Sequence, residues 1–244
     1  MSRMLLFLAL VGCAQAGKPE FGNHGDAAMP RPDVIIGPQI DAFVNHIDAP
    51  PGQTVVTLDE NTSDTLAAGT AIACPSGDPF GDTAASSYFR VFDLATFNVT
   101  KDFHVSQVSF QVDDDETFTG MGSTVAVSVG TYTGTPGTTL AFANMQMLAS
   151  NSNVSVPEVV TGGAGATVNV PLNATIPVGG KVFVEVDSPD GTFDHSFYMG
   201  ANEAGESASS YVLASDCSTT VPTALGQVYT THAVDLLMTI TGSY

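Results

Sequence analysis

From residue 53 onward, apolar and polar residues alternate with a period of two, and this pattern limits the fold more than any other feature. Val108, Phe110 and Val112 fall on one side of an extended segment, while Ser109 and Gln111 fall on the other. Alternation with one apolar face is typical of a half-buried β-strand. The segments predicted as strands are Gln53–Leu58, Ser87–Leu94, Val105–Val112, Thr124–Tyr132, Leu140–Leu148, Val154–Val160, Ala166–Leu172, Lys181–Asp187, His195–Met199, Ser209–Leu213 and His232–Thr241.

Turn residues separate these segments, as in Gly134-Thr135-Pro136-Gly137 and Ser188-Pro189-Asp190-Gly191. No segment after residue 52 carries a sustained helical stripe of apolar residues. About ten short strands at regular spacing predict an all-β fold, an antiparallel β-sandwich with Greek-key or jelly-roll-like connections. Because no break in composition occurs within residues 53–244, we expect them to form one domain.

The first thirteen residues predict export and attachment to a membrane. Arg3 gives a positive start, and the apolar run Met4–Val11 that follows is far shorter than the ~20 residues needed to span a bilayer. Leu10-Val11-Gly12-Cys13 resembles the lipobox of bacterial lipoproteins. This resemblance implies that residues 1–12 are a signal peptide, that Cys13 carries lipid, and that the protein is anchored in the bacterial cell envelope, at the outer membrane or cell surface.

A second cleavage site leaves an alternative open. Ala14-Gln15-Ala16 has the small-residue pattern of ordinary signal-peptidase cleavage, which would remove Cys13 and release the protein. Under either cleavage, the residues up to position 52 are rich in glycine and proline, which oppose regular helix or central strand. We therefore expect residues 13–52 to act as a flexible tether.

The charge of the chain excludes two classes of partner. Six Lys and Arg residues stand against 25 Asp and Glu residues, for a formal net charge of −19. Nucleic-acid binding needs basic residues to neutralise phosphates, so we expect no nucleic-acid partner. Electrostatic attachment to anionic lipid is opposed in the same way, so a membrane partner would be held through lipid on Cys13.

The cysteine count agrees with export. The chain has three cysteines, Cys13, Cys74 and Cys217, and the latter two remain after either cleavage. In an oxidising compartment these two are expected to form a disulfide. It would close a loop of ~140 residues, for which chain entropy gives a stabilisation of roughly 4–5 kcal/mol.

A scattered set of positions carries a second resemblance. The segment Tyr88–Leu94 reads YFRVFDL, and Ser210, Tyr211, Cys217 and His232 follow it toward the C-terminus. This order resembles a β-sandwich module appended to large secreted or surface proteins of bacteria, in which a YxRxFDL strand opens the fold and an SY…C…H stretch closes it. Over about residues 74–244, the resemblance implies a non-catalytic accessory domain.

Catalytic motifs are missing from the sequence. There is no G-x-S-x-G motif, since the nearest run, Gly205–Ser209, lacks the final glycine. The zinc-protease motif H-E-x-x-H is missing as well. The sequence therefore predicts no enzymatic activity and no catalytic residues. An unrecognised hydrolase, with serine, histidine and carboxylate brought together only by folding, remains the third hypothesis.

Calcium is the one cofactor that the sequence suggests. Asp187, Asp190 and Asp194 surround the Ser188–Gly191 turn, and Ca²⁺ takes six to eight oxygens from carboxylates and carbonyls. Aspartate also favours turns by bonding its own backbone, so a solvated turn explains the same residues. The three aspartates are a candidate metal site, and no other cofactor is expected.

The functional hypothesis is a binding or structural module at the cell envelope, with an envelope protein or a glycan as partner. The alternative is a glycan- or calcium-dependent adhesion or accessory module of a secreted enzyme system, released after Ala16. Sugar sites commonly use exposed aromatic side chains, and this chain has no Trp. The aromatic residues considered for such a site are Tyr88, Tyr132, Phe193, Tyr198 and Tyr211.

Overall fold

The computed structural model describes residues 52–67, 69–77, 81–118, 120, 122–230 and 233–244. All of these residues belong to one compact unit. The predicted signal peptide, Cys13 and the tether before residue 52 lie outside the described residues, and so does His232.

The described residues form thirteen strands, two 3-10 turns and one helix, α1 (Leu225–Val228). None of the described helices is long and apolar enough to cross a membrane. The 3-10 turns are Phe142–Asn144 and Ser215–Cys217. The strands are β1 (Val55–Leu58), β2 (Ser86–Asp93), β3 (Phe103–Thr117), β4 (Thr124–Tyr132), β5 (Met145–Ser155), β6 (Ala166–Ile176), β7 (Lys181–Ser188), β8 (His195–Met199), β9 (Ala201–Asn202), β10 (Ser210–Ala214), β11 (Thr219–Ala224), β12 (Asp235–Leu236) and β13 (Met238–Ser243).

Two main sheets contain most of these strands. One has the order β1-β13-β3-β6, with β8 also paired to β3, and the other has the order β11-β10-β2-β7-β4-β5. A short pair joins β9 to β12. Every one of these strand pairings is antiparallel. The predicted all-β, antiparallel sandwich is therefore confirmed.

The core lies between the two sheets because alternate residues of their strands point inward. In β6, Val168 and Val170 are buried while Thr167 and Asn169 are exposed. These valines share one apolar cluster with residues of the other sheet, such as Val127 of β4. Burying an apolar side chain of this size stabilises the fold by about 1.5–3 kcal/mol, so the alternation itself fixes which face of each strand packs inward.

The predicted disulfide is present. Cys74 and Cys217 are bonded. Their Cα atoms are 5.9 Å apart, and their positions differ by 143 in the sequence. Cys74 is buried and precedes β2, while Cys217 lies in the 3-10 turn after β10. The bond therefore joins the segment before β2 to the turn after β10, and these two strands are neighbours in the six-stranded sheet.

Two predicted strands, Leu140–Leu148 and Val154–Val160, have the wrong bounds. A single strand, β5, covers only residues 145–148 of the first and 154–155 of the second, and Phe142–Asn144 before it forms a 3-10 turn. Leu140 is buried, and its N–H donates to the carbonyl of Pro222 at 2.9 Å. Pro222 belongs to β11, so the start of the predicted strand pairs with the opposite edge of the six-stranded sheet instead of entering β5.

Strand β3 is longer than the sequence predicts. The prediction ends at Val112, whereas the strand continues through the acidic run to Thr117. Strand β8 pairs with this extension on one side, and the Asp115 N–H donates to the carbonyl of Val159 at 2.9 Å on the other. Backbone pairing on both sides holds an acidic segment extended where the residue types alone indicate a turn.

Candidate functional site

Exposed aromatic side chains are rare in the described part of the chain. Phe118 and Phe193 are 70% and 65% exposed, and Phe142, elsewhere in the fold, is 52% exposed. Exposed large apolar side chains gathered in one place commonly mark an interaction site. Of the aromatic residues considered from the sequence, Tyr88, Tyr132 and Tyr211 are buried, Tyr198 is half-buried, and only Phe193 is exposed.

Phe118 and Phe193 lie on neighbouring segments at one end of the five-stranded sheet. Phe118 follows the last residue of β3, and its N–H donates to the carbonyl of Asp194 at 3.3 Å. Thr117 pairs with His195, the first residue of β8. We name this end the β3–β8 site and define it as residues 114–118, 159–161 and 190–198.

The turn before β8 holds Phe193 in an unusual conformation. Its φ of 65° lies in the left-handed region, which costs a bulky residue roughly 1–3 kcal/mol. The turn is tight, because the N–H groups of Asp194 and His195 both donate to the carbonyl of Gly191, at 2.7 and 2.9 Å. A Cβ on Gly191 would lie 2.2 Å from the carbonyl oxygen of His195, so only glycine fits there. Backbone strain of this kind is concentrated at functional sites.

Two carboxylates are held in fixed orientations at this end of the sheet, Asp114 buried at 6% exposure and Glu116 half-buried. The Ser196 hydroxyl donates to Asp114 Oδ1 at 2.9 Å. Thr161 donates to Glu116 Oε1 through its hydroxyl at 3.0 Å and through its N–H at 2.9 Å, and its hydroxyl also contacts Asp114. Asp114 thus holds Ser196 and Thr161 in place, and the half-buried Glu116 can accept a hydrogen bond from a hydroxyl-bearing ligand with little further loss of side-chain entropy.

The inward face of the site contains buried ionisable groups. Asp115 is fully buried, and its Oδ2 accepts the N–H of Ser123 at 2.7 Å. His195 is 5% exposed, and its Nδ1 lies 3.5 Å from Asp194 Oδ2. Within the described residues, Asp115 Oδ1 and His195 Nε2 are buried without a hydrogen-bond partner. Each such atom costs about 1–3 kcal/mol, a penalty that adds to the backbone strain at the same end of the sheet.

Asp115, Ser123 and His195 are the residue types of a hydrolytic triad, but their placement differs from one. Ser123 donates its backbone N–H, not its hydroxyl, to Asp115 Oδ2. The residue as a whole is 9% exposed. A nucleophilic hydroxyl must be reachable by its substrate and hydrogen-bonded to a base. The sandwich would have to open before a substrate reached Ser123.

The aspartates proposed from the sequence as calcium ligands are engaged separately. Asp187 Oδ1 accepts the hydroxyl of Ser87 at 2.7 Å on the other sheet. Asp190 Oδ1 accepts the N–H and hydroxyl of Thr192 at 3.0 and 2.6 Å, which lowers its pKa. Asp194 faces the adjacent histidine. Across the described ranges, no group of three or more His, Cys, Asp or Glu residues is arranged to hold a metal ion, and calcium binding stays a prediction.

A separate cleft of about 770 Å³ lies between the turn at Pro136–Thr138 and the segment around Glu206 and Asp235. Its carboxylates already have partners in the protein. Glu206 forms an ion pair with the buried guanidinium of Arg90 and accepts hydrogen bonds from the N–H and hydroxyl of Ser210. Asp235 accepts the N–H of Gly205 at 2.7 Å. Burial raises the pKa of Glu206, although Arg90 opposes the shift. These contacts indicate a structural role for the buried ion pair.

Several carboxyls in the fold have raised pKa values, which predicts that mild acid stabilises the protein. Burial raises the pKa of Asp113, Asp115, Glu185 and Glu206, and a hydrogen bond from Asp59 raises that of Asp64. The folded state therefore binds these protons more tightly than the unfolded chain. The resulting stabilisation is complete below the ordinary carboxyl pKa of about 4 and is lost as pH rises through the folded values.

We expect the melting temperature measured by calorimetry to rise between pH 7 and pH 5. The variant Asp115→Asn keeps the acceptor for Ser123 but removes one titrating group, so its melting temperature should change less over the same range. A melting temperature that falls steadily below pH 7 would contradict this account.

The sequence pointed to only part of the site. It singled out Phe193 and the aspartates of its turn, but it missed Phe118, Thr161 and Ser196. Phe118 continues the outward series of Asp114 and Glu116 along β3, so the period of two could have placed it. Thr161 belongs to a separate loop, and no local pattern connects it to the site.

Comparisons with known proteins identify no family for this chain and find only distant structural similarity. No protein-family model matches the chain, and no curated protein matches it in sequence. Among solved structures, the clostridial cysteine protease Cwp84 after propeptide cleavage is similar over 78% of this chain and 40% of that one, with 15% identity and a TM-score of 0.44. The cysteine protease and lectin-like domains of Cwp84, a surface-layer-associated protein of Clostridium difficile, are similar over 66% and 32%, with 15% identity and a TM-score of 0.41. The chain spans less than half of either structure, and a likeness of this degree carries no information about ligand or activity.

Proposed function

We propose that this protein is a non-catalytic binding module of the bacterial cell envelope and that its β3–β8 site binds an uncharged glycan. The observation that carries the proposal is the pair Phe118 and Phe193, which are 70% and 65% exposed on adjacent segments. The half-buried carboxylate of Glu116, oriented by Thr161, lies beside them at the same end of the sheet, and the buried Asp114 orients Ser196.

The chemistry of the site suits a sugar. An aromatic face packs against the apolar C–H face of a sugar ring, and the carboxylate of Glu116 can hydrogen-bond to the ring's hydroxyl groups. The formal charge of −19 repels an anionic ligand. A neutral, hydroxyl-rich ligand therefore fits both the aromatic pair and the charge of the chain.

Attachment to the envelope would come from the N-terminus. Lipid on Cys13 would hold the module at the membrane surface, because two or more acyl chains make retention stable. Cleavage after Ala16 would instead release a soluble binding module. Mass spectrometry of the mature N-terminus separates the two outcomes, since a lipid-modified Cys13 supports the anchor and an unmodified Gly17 start excludes it.

Replacing both exposed phenylalanines should abolish most glycan binding. We expect Phe118→Ala/Phe193→Ala to weaken binding of neutral glycans at least tenfold, about the effect of losing two aromatic contacts with their buried area. The measurement is an array of neutral and anionic glycans, followed by calorimetric titration of the strongest ligand. Repeating the titration with added Ca²⁺ and with EDTA tests the calcium prediction for Asp187, Asp190 and Asp194.

The matched control is Phe142→Ala, which removes an exposed phenylalanine away from the site. It should leave the affinity unchanged. The glycan proposal fails if no neutral glycan binds, or if the double variant and the Phe142 variant behave alike.

A further inference from the structure

The outward face of the five-stranded sheet has a composition unlike the rest of the chain. Along β3, Val108 and Phe110 are buried, so Gln107, Ser109 and Gln111 point away from the core. The residues paired beside them on β13 and β6 are also uncharged. We name this set the polar strip, and it consists of Thr57, Gln107, Ser109, Gln111, Thr167, Asn169, Thr239 and Thr241.

Side chains of the polar strip are already hydrogen-bonded to one another. The Ser109 hydroxyl donates to Asn169 Oδ1 at 2.8 Å, and the Gln107 amide donates to the same oxygen at 3.0 Å. The hydroxyls of Thr57 and Thr241 lie 3.0 Å apart across the neighbouring strand pair. Because these side chains are ordered before any ligand arrives, binding would lose less conformational entropy.

The polar strip is continuous with the β3–β8 site. A register shift occurs in β3 between Val112 and Asp114, after which Asp114 and Glu116 lie opposite Tyr198 and Ser196 of β8. The outward series on β3 thus runs from Gln107 through these acids to Phe118. Strand β3 has 15 residues, which at about 3.3 Å per residue extends over roughly 50 Å. The strip and the β3–β8 site therefore follow one another along β3, with the buried Asp114 between them.

A shallow depression of about 220 Å³ lies within the strip. It is smaller than the roughly 300–1,000 Å³ of ordinary small-molecule pockets, so it suits one unit of a longer ligand. The carboxyls of Asp59 and Asp64 line one side of it, and the hydrogen bond between them raises the pKa of Asp64.

We propose that the polar strip binds an extended, uncharged polysaccharide that continues from the β3–β8 site over several sugar units. This inference rests on the proposed function and specifies its ligand class, a linear neutral polymer in place of a single terminal sugar. The charge of the surface selects the occupant. An anionic polymer is repelled by the net charge of −19, whereas the uncharged hydroxyl and amide side chains of the strip can hydrogen-bond to the hydroxyls of a neutral one.

The dependence of affinity on ligand length tests this inference. The probes are soluble neutral glucans, xylans and mannans, and the size-fractionated oligosaccharides, from disaccharide to octasaccharide, of whichever polymer binds. We expect the affinity of the unaltered protein to increase with length. Gln107→Ala/Asn169→Ala should weaken octasaccharide binding about tenfold, as expected for one or two lost hydrogen bonds, while disaccharide binding stays unchanged.

The matched control removes the same residue types from another surface. Gln146→Ala/Asn153→Ala lies on β5, the edge of the other sheet, and should leave binding at every length unchanged. Affinity that is independent of length, or an unaffected Gln107/Asn169 variant, overturns the strip while leaving the Phe118/Phe193 site in place. Loss of polymer binding in the Gln107/Asn169 variant but not in the Phe118/Phe193 variant supports the strip and contradicts the proposed site. Absence of binding to all neutral probes overturns both.

Discussion

Cys74→Ala/Cys217→Ala is expected to lower the free energy of unfolding by about 5 kcal/mol. The bond closes 143 residues, and the chain-entropy model gives a loop of that length about this value. For a chain of this size, such a loss lowers the melting temperature by roughly 10–20 °C. Urea titration followed by circular dichroism measures the change directly.

The denaturant slope separates this origin from ordinary loss of packing. Without the cross-link the unfolded chain expands and exposes more surface, so the slope m should increase as the midpoint falls. The control is the unaltered protein under reducing conditions, which should approach the variant in both quantities. A variant as stable as the parent, with an unchanged slope, would show that Cys74 and Cys217 are not bonded in the protein.

Arg90→Ala is expected to destabilise the fold by about 3–5 kcal/mol. Arg90 lies at the centre of β2 with 0% exposure, paired with Glu206 and hydrogen-bonded to Asn61 Oδ1 at 2.8 Å and the Leu236 carbonyl at 3.0 Å. Its removal leaves a largely buried carboxylate without a cation, which is the costly way to break a buried ion pair. Chemical denaturation at pH 7 measures the loss.

Two further variants isolate the ion pair. Lys181→Ala breaks a partly exposed ion pair with Asp93, 4.0 Å away, at the end of the β2–β7 strand pair. It should cost less than about 1 kcal/mol. Adding Glu206→Gln to Arg90→Ala should recover part of the loss, because the unpaired charge is removed while an acceptor for Ser210 remains. Equal effects of Arg90→Ala and Lys181→Ala would contradict a buried, charged Arg90.

The resemblance that rested on YFRVFDL and Ser210-Tyr211 has a physical explanation in the structure. Strands β2 and β10 are neighbours, with Arg90 opposite Ser210 and Phe89 opposite Tyr211. Ser210 also donates to the carboxylate that pairs with the arginine. Arg90 and Ser210 therefore meet at one buried charge, and sequence order alone did not reveal that contact.

Period-two alternation predicted the sandwich well because burial on one face is a local, repeated property of a strand. Strands whose partners are distant in sequence were predicted less accurately. The acidic end of β3 is extended only because β8 and Val159 pair with it, and Leu140 lies outside β5 because its N–H donates to Pro222 of β11. Strand β9 has two residues, too few for a pattern, and β11 contains Pro222, which opposes a strand assignment, so neither was predicted.

The candidate site was predictable only in part for the same reason. The turn at Asp190–Asp194 contains its own signals, glycine and aspartate, and it was recognised from the sequence. Phe118 and Thr161 join that turn through strand pairing and side-chain hydrogen bonds across distant segments. The left-handed conformation of Phe193 has no sequence signal, because phenylalanine rarely adopts it.

Mapping the ligand on the protein tests the central claim most directly. The measurement is a two-dimensional amide NMR titration of the disulfide-bonded protein with the neutral oligosaccharide that binds most tightly. We predict chemical-shift changes at residues 114–118, 159–161 and 190–198, spreading to Gln107–Gln111 as the ligand lengthens. Changes confined to the cleft around Glu206 and Asp235, or no changes at any neutral oligosaccharide concentration, would contradict it.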